Sequence, residues 1–172
     1  MNETIILDTE TTGVNFDQEI VEVLQLSIIN ENGDTLYNGF FKPTYNQSWD
    51  KAQAVNHISP EMVADCPSID DELSLILPII RKAKTVIGYN TQFDVRVLSD
   101  ANIHFDDDVS YIDVMRDFAP IYGDWNEERG DYKWQKLTTC ADYYGYDWGT
   151  DTAHDSLADC RATLFCYQKL RS

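Results

Sequence analysis

Thr4-Ile5-Ile6-Leu7-Asp8-Thr9-Glu10-Thr11-Thr12-Gly13 starts as an apolar, partly β-branched run and ends in acid. That composition predicts a strand over Thr4 to Asp8. Side chains two apart on a strand point the same way, so Asp8 and Glu10 present two carboxylates side by side at its end. Such a pair repels, and one member takes up a proton unless a cation lies between them. Oxygen ligands of this kind suit Mg²⁺ or Mn²⁺. Gly13 lets the chain turn closely past the pair. Taken in isolation, an Asp-x-Glu pair is better read as a strand end dissolving into a polar turn.

Outward from this strand, Val21 to Asn30 alternates into a second strand. Asn32-Gly33-Asp34 signals a turn, and Thr35 to Phe41 forms a third strand, giving an antiparallel meander. A short helix is predicted over Ser59 to Asp65, with Ser59 as cap and Pro60 in the first turn. Ser68-Ile69-Asp70-Asp71 opens a longer helix that carries Leu73, Ile76, Leu77 and Ile80 at helical spacing. Pro78 should kink that helix or end it early. Thr85 to Tyr89 reads as a fourth strand, Gln92 to Asp100 as a helix, and Val109 to Val114 as a fifth strand. Pro120 to Trp134 has no clear period and reads as a long loop. Two helices close the chain, Trp134 to Tyr144 and Ala153 to Leu170. Strands first, then strands alternating with helices, predict an α/β domain around a mixed sheet. No repeat or linker divides residues 1–172, so one domain is expected.

The bulk numbers narrow the function classes. A formal net charge of −17 argues against a protein that grips long stretches of phosphate backbone with Lys and Arg. It leaves room for a site that handles a phosphodiester through bound metal. The run Asp106-Asp107-Asp108 reads as a solvated loop. The cysteines Cys66, Cys140, Cys160 and Cys166 form no Cys-x-x-Cys pair, so neither a zinc nor a redox motif is indicated. No stretch is apolar enough for a membrane span, and Met1-Asn2-Glu3-Thr4 does not open a signal peptide. Reduced thiols in a cytoplasm are the default expectation.

Two further segments end in acids. Val86-Ile87-Gly88-Tyr89-Asn90-Thr91-Gln92-Phe93-Asp94 repeats the order of apolar strand, polar turn, then an acid near a helix start. Asp94 could be a functional carboxylate or simply a helix-terminal acid. In His154-Asp155-Ser156-Leu157-Ala158-Asp159, the stripe Leu157, Cys160 and Leu164 marks a buried face, and Asp159 lies beside it. An unpaired carboxylate there is costly. Five residues at about 100° each set His154 roughly 140° from Asp159 around a continuous helix. Both reach one site only if His154 lies at or before the first turn. Thr152, with Asp155 three residues on, comes close to a capping box, which would put His154 in a mobile loop–helix junction.

These four carboxylates and one histidine resemble the three motifs of the DEDDh (DnaQ-like) 3′→5′ exonuclease family, which has an RNase H-like fold. Asp8 and Glu10 match the first motif, Asp94 the second, and His154 with Asp159 the third. The sister branch carries Tyr four residues before the last Asp; this chain has Asp155 there and His five before, so it resembles the histidine branch. Within the family, Ala54 to Pro67 and Tyr89 to Leu98 look most like exonuclease X-like proteins and the epsilon proofreading subunit of bacterial DNA polymerase III. Asn56-His57-Ile58 and Tyr89 depart from the common pattern near the expected nucleotide pocket.

The resemblance implies a five-stranded mixed sheet flanked by helices. It also implies two Mg²⁺ or Mn²⁺ ions per site, held by Asp8, Glu10, Asp94 and Asp159, and His154 as general base. The implied reaction releases nucleoside 5′-monophosphates from the 3′ ends of DNA, preferably single-stranded or frayed ends, with DNA or RNA 3′ ends as the implied binding partner. Thr11 would meet the terminal 3′-OH, Asn90 is the motif asparagine beside the pocket, and Val55, His57 and Phe93 would pack on the last base. A polymerase or another replication or repair protein is the implied partner, and no membrane. Two alternatives stay open, an oligoribonuclease-like RNA trimmer and a catalytically idle nuclease-fold module.

Overall fold

β1 runs from Glu3 to Thr11 in a computed structural model that describes residues 3–172, and so extends past Asp8, where the apolar run ends. Thr9 and Thr11 are β-branched, and the neighbouring strand accepts pairing as far as Thr11, so the backbone has a reason to stay extended. β2 (Val23–Asn30) pairs antiparallel with β1, and β3 (Thr35–Phe40) antiparallel with β2. The β2–β3 turn is held by Asn30, whose Oδ1 accepts from the backbone N–H groups of Asn32 and Asp34 at 2.9 Å each. Gly33 supplies the positive φ of 88° that this turn requires. β4 (Ala83–Gly88) lies parallel along the other edge of β1, and β5 (Ser110–Asp113) lies parallel to β4. The sheet order is β3-β2-β1-β4-β5, the expected five-stranded mixed sheet.

The helices are α1 (Asp50–Asn56), α2 (Pro60–Val63), α3 (Leu73–Ile80), α4 (Thr91–Asp100), α5 (Val114–Tyr122), α6 (Leu137–Tyr144) and α7 (Ser156–Leu170). Alternation along β1 divides them. Ile5 and Leu7 join a core with Ile76 and Ile80 of α3 and Val97 and Leu98 of α4. Ile6 faces the other way, into a core built from Phe118 of α5, Cys140 of α6, and Cys160 and Leu164 of α7. Asp8 and Glu10 continue the parity of Ile6 and therefore point toward α7. A smaller cluster of Leu24, Trp49, Ile58 and Val63 seats α1 and α2 beside the end of the sheet.

Several boundaries differ from the sequence expectation. α1 was not expected. No apolar stripe announces it, and Asn56 is its one buried residue. Residues 69–72 form a 3₁₀ turn before α3, with Ser68 and Asp71 in a reciprocal capping box, and α3 ends two residues after Pro78. β5 stops at Asp113 because its side chain caps α5, accepting from the N–H of Met115 at 3.1 Å. α5 itself fell partly inside the expected loop; Met115, Phe118 and Ala119 are its buried face. The rest of that segment folds into a small hairpin, β6 (Trp125–Asn126) with β7 (Asp131–Tyr132). The last helix starts at Ser156 rather than Ala153. Its cap is Asp155, not Thr152, and Asp155 Oδ1 accepts from Leu157 and Ala158 N–H at 3.1 Å each. No helix among the described residues is long and apolar enough to cross a membrane.

Candidate active site

β1 and β4 are paired only as far as Ile6 and Ile87. Beyond that point Asp94 takes the place of the missing strand partner. Its Oδ1 accepts from the backbone N–H of Thr9 at 3.0 Å and from Thr9 Oγ1 at 2.7 Å. Asp94 is only 3% exposed. It sits in the first turn of α4, where a carboxylate also suits the helix dipole.

On the α7 side, the polar positions of β2 hold the helix start. Gln25 stands opposite Glu10 and Ser27 opposite Asp8. Gln25 Oε1 accepts from Ser156 N–H at 3.2 Å, and Gln25 Nε2 donates to Asp155 Oδ2 at 3.2 Å. The Ser27 and Ser156 hydroxyls share a hydrogen bond of 2.6 Å. Cys160 Sγ, one turn further along, lies 3.4 Å from the Ser27 carbonyl and 3.8 Å from that of Ile6. This clamp lays the first turns of α7 across β1 and β2 and carries Asp159 to Glu10. Sequence reasoning missed Gln25 and Ser27. Their signal was two polar residues, two apart, in a strand whose other residues through Ile29 are all apolar and buried.

His154 precedes the helix, as the angular argument requires if it is to share a site with Asp159. Its φ of 70° is in the left-handed region, where a side chain other than glycine's is strained. Its backbone N–H donates to Asp159 Oδ2 at 3.3 Å, which holds the turn. Donor atoms of Glu10, His154 and Asp159 all lie within 4.8 Å of one another.

The electrostatics of this cluster are severe. Burial, then the charges of Asp94, Asp159 and Glu10, push Asp8 well above the usual carboxylate range. Burial and the neighbouring Asp159 and Asp94 push Glu10 up to about 8. Asp94 is pushed up to about 7 by burial, against the two hydrogen bonds from Thr9. Asp159 is pushed up to about 7, again chiefly by burial. Partial burial, His57 and Lys136 lower the pKa of His154 and so favour the neutral ring. Asp159 Oδ1 is buried without a hydrogen-bond partner. Hard oxygen donors, one imidazole and an orphaned carboxylate oxygen fit a divalent cation, whose charge would relieve the repulsion.

The remaining expected residues divide. Thr11 and Val55 line a cavity of about 580 Å³ beside Glu10. Val55 and His57 line a second cleft, of about 720 Å³, that also contains His154 and Asp159. Thr11 is tied to α1, since Asn56 Nδ2 donates to its carbonyl at 3.1 Å. Phe93 packs toward the core and against Phe16, with ring centroids 5.4 Å apart. Asn90 is exposed at the start of α4 with a φ of 70°, and it lines neither cleft. Gly13 makes its close approach to the Glu19 carboxylate rather than to the acid cluster.

The sequence pattern of the RNase_T family, an exonuclease family, matches residues 5–167. The chain belongs to this exonuclease family. The exonuclease is similar to an uncharacterized exonuclease, CP81, of Escherichia phage 186, with 31% identity over 176 residues, covering 95% of this chain and 85% of that protein. Its fold is similar to exonuclease X in complex with 5′-overhanging duplex DNA, with a TM-score of 0.67 and 19% identity over 97% of this chain and 90% of that one. It is also similar to E. coli exonuclease I in complex with a dT13 oligonucleotide, with a TM-score of 0.77 and 18% identity. There this chain matches along its whole length but spans 41% of the longer chain.

Proposed function

We propose that this exonuclease removes nucleotides from the 3′ ends of DNA, preferring single-stranded or frayed ends, and releases nucleoside 5′-monophosphates. The observation that carries this reading is the meeting of Glu10, His154 and Asp159 within 4.8 Å, beside the half-buried Asp8 and the buried Asp94, whose charges act on the same cluster. Asp8, Glu10, Asp94 and Asp159 would hold the divalent cations, Mg²⁺ or Mn²⁺, two per site. Bound there, the cations supply charge stabilisation to the phosphoryl oxygens and make water more acidic. His154, whose pKa is lowered by its surroundings, would take the proton of the attacking water. Asp94 holds Thr9, and with it the strand that carries Asp8 and Glu10. Thr11 and Val55 bound the space beside Glu10 where the terminal nucleotide would lie, and His57 extends that wall toward His154. With −17 overall, longer substrates would need a partner, such as a polymerase or repair protein, to hold the enzyme in place.

The test is digestion of single-stranded DNA, duplex DNA and short RNA, each labelled at one end or the other, with Mg²⁺, with Mn²⁺ and with EDTA. A 5′-labelled single strand should shorten to a ladder in the presence of metal and stay intact in EDTA. Digestion in EDTA, immediate release of the 5′ label as a mononucleotide, or cleavage of RNA alone would each reject the corresponding part of this reading.

A further inference from the structure

The stretch that follows the β6–β7 hairpin takes no part in the acid cluster, yet it lines the cleft that holds His154 and Asp159. Trp134 lines the cleft that holds His154 and Asp159, and it also lines a cavity of about 450 Å³ on the hairpin beside Arg129 and Lys133. The indole is 56% exposed, a large apolar surface left open to water. It is not loose. The Arg116 guanidinium lies over its ring, 5.6 Å from the centroid. Arg116 is itself anchored, donating to Gln92 Oε1 at 2.9 Å and lying 3.6 Å from Asp113 Oδ2. One face of the indole therefore lies beneath a held cation while more than half of the residue's surface is open to water. Lys136 lines the same cleft as His154 and Asp159. Arg129, Lys133 and Lys136 cluster within eight residues of a chain that carries 13 basic residues in all.

We propose that Trp134 is a stacking platform for a base of the single strand next to the terminal nucleotide, backed by Arg116 and with Lys136 beside the adjoining phosphate. The inference rests on the reading of the acid cluster as a nuclease site acting on a single strand. An indole presents a flat surface to any base, so it holds an unpaired strand without reading its sequence. A base paired in a duplex has its faces covered by its neighbours and is not available to the ring. Trp134 thereby favours unpaired ends, and it does so with few phosphate contacts, which fits the acidic surface. The Arg116 guanidinium over the ring helps hold the indole in place by cation–π attraction.

The experiment compares wild type, Trp134→Ala and Trp134→Phe on a dinucleotide, a tetranucleotide and a longer single DNA strand, with a short RNA as a parallel arm. Trp134→Ala should raise KM for the longer strands about tenfold, within the usual range for loss of one base stack. Its kcat should stay within about threefold of wild type, the KM loss should grow from dinucleotide to tetranucleotide, and Trp134→Phe should restore most of the affinity. Fluorescence anisotropy of a labelled oligonucleotide, with Ca²⁺ in place of Mg²⁺, measures binding independently of cleavage. If wild type cleaves none of the strands, the nuclease reading has failed, and anisotropy still decides the role of Trp134. Equal affinity of Trp134→Ala and wild type, or a loss in kcat alone, would overturn the proposal.

Discussion

Replacing Glu10 by glutamine removes one negative charge from the acid cluster and leaves its shape nearly unchanged. In the metal-free protein Glu10 is pushed from its ordinary 4.5 to about 8. The folded state then keeps a proton that the unfolded state has released. The wild type accordingly loses stability as pH rises through the window from 4.5 to about 8, and it carries the full penalty above that window. At about 1.4 kcal/mol per pKa unit, an isolated group would lose roughly 5 kcal/mol. The four acids share their repulsion, so relief of one brings less, about 2–3 kcal/mol. For a chain of this size each kcal/mol moves Tm by about 2–4 °C. Glu10→Gln should therefore melt roughly 4–12 °C higher than wild type at pH 8 in EDTA, with the gap closing toward pH 5. Saturating Mg²⁺ should stabilise the wild type more than the variant, because it binds the folded cluster of carboxylates. Differential scanning calorimetry at pH 5, 6.5 and 8, with EDTA and with Mg²⁺, measures all of this. A variant no more stable than wild type at pH 8, or one equally favoured at both ends of the range, would show that carboxylate repulsion does not govern this site.

Three other outcomes are expected. His154→Ala should lower kcat by roughly 10²–10⁴-fold, the range for a lost general base, and remove the acid limb of the pH profile; near-wild-type turnover at neutral pH would make His154 structural. Ser27→Ala leaves the buried Ser156 hydroxyl without its 2.6 Å partner and should cost about 1–3 kcal/mol of stability, read in urea melts; an unchanged midpoint would show that the clamp on α7 does not depend on this bond. With 30 acids against 13 bases, affinity for a single strand should fall shallowly with salt and the enzyme should release long strands often; complete digestion in the presence of excess unlabelled trap, or a steep salt slope, would reveal a basic track.

The parts of this protein that depend on near neighbours were legible in the sequence. A strand alternates every two residues, so Asp8 and Glu10 had to share a face, and Ile6 shows which core that face adjoins. A helix turns by about 100° per residue, so His154 could share a site with Asp159 only from outside the helix, and it sits just before Ser156. The strands of the main sheet and most of the helices followed from the same periods, whereas the order of strands in the sheet is fixed by tertiary pairing. Residues brought together from far along the chain were not legible, because no local period records them. Asp94 reads equally well as a helix-terminal acid; only packing, 85 positions away, turns it onto Thr9. Gln25 and Ser27 gain their role from α7, about 130 residues later. α1 shows no apolar stripe because its one buried residue is Asn56, which bonds to β1. The stretch from Pro120 to Trp134 lacks a period because it joins the end of one helix to a two-residue-strand hairpin. What places Trp134 on the wall of the cleft is the tertiary path of that hairpin, and the guanidinium behind it comes from another element altogether.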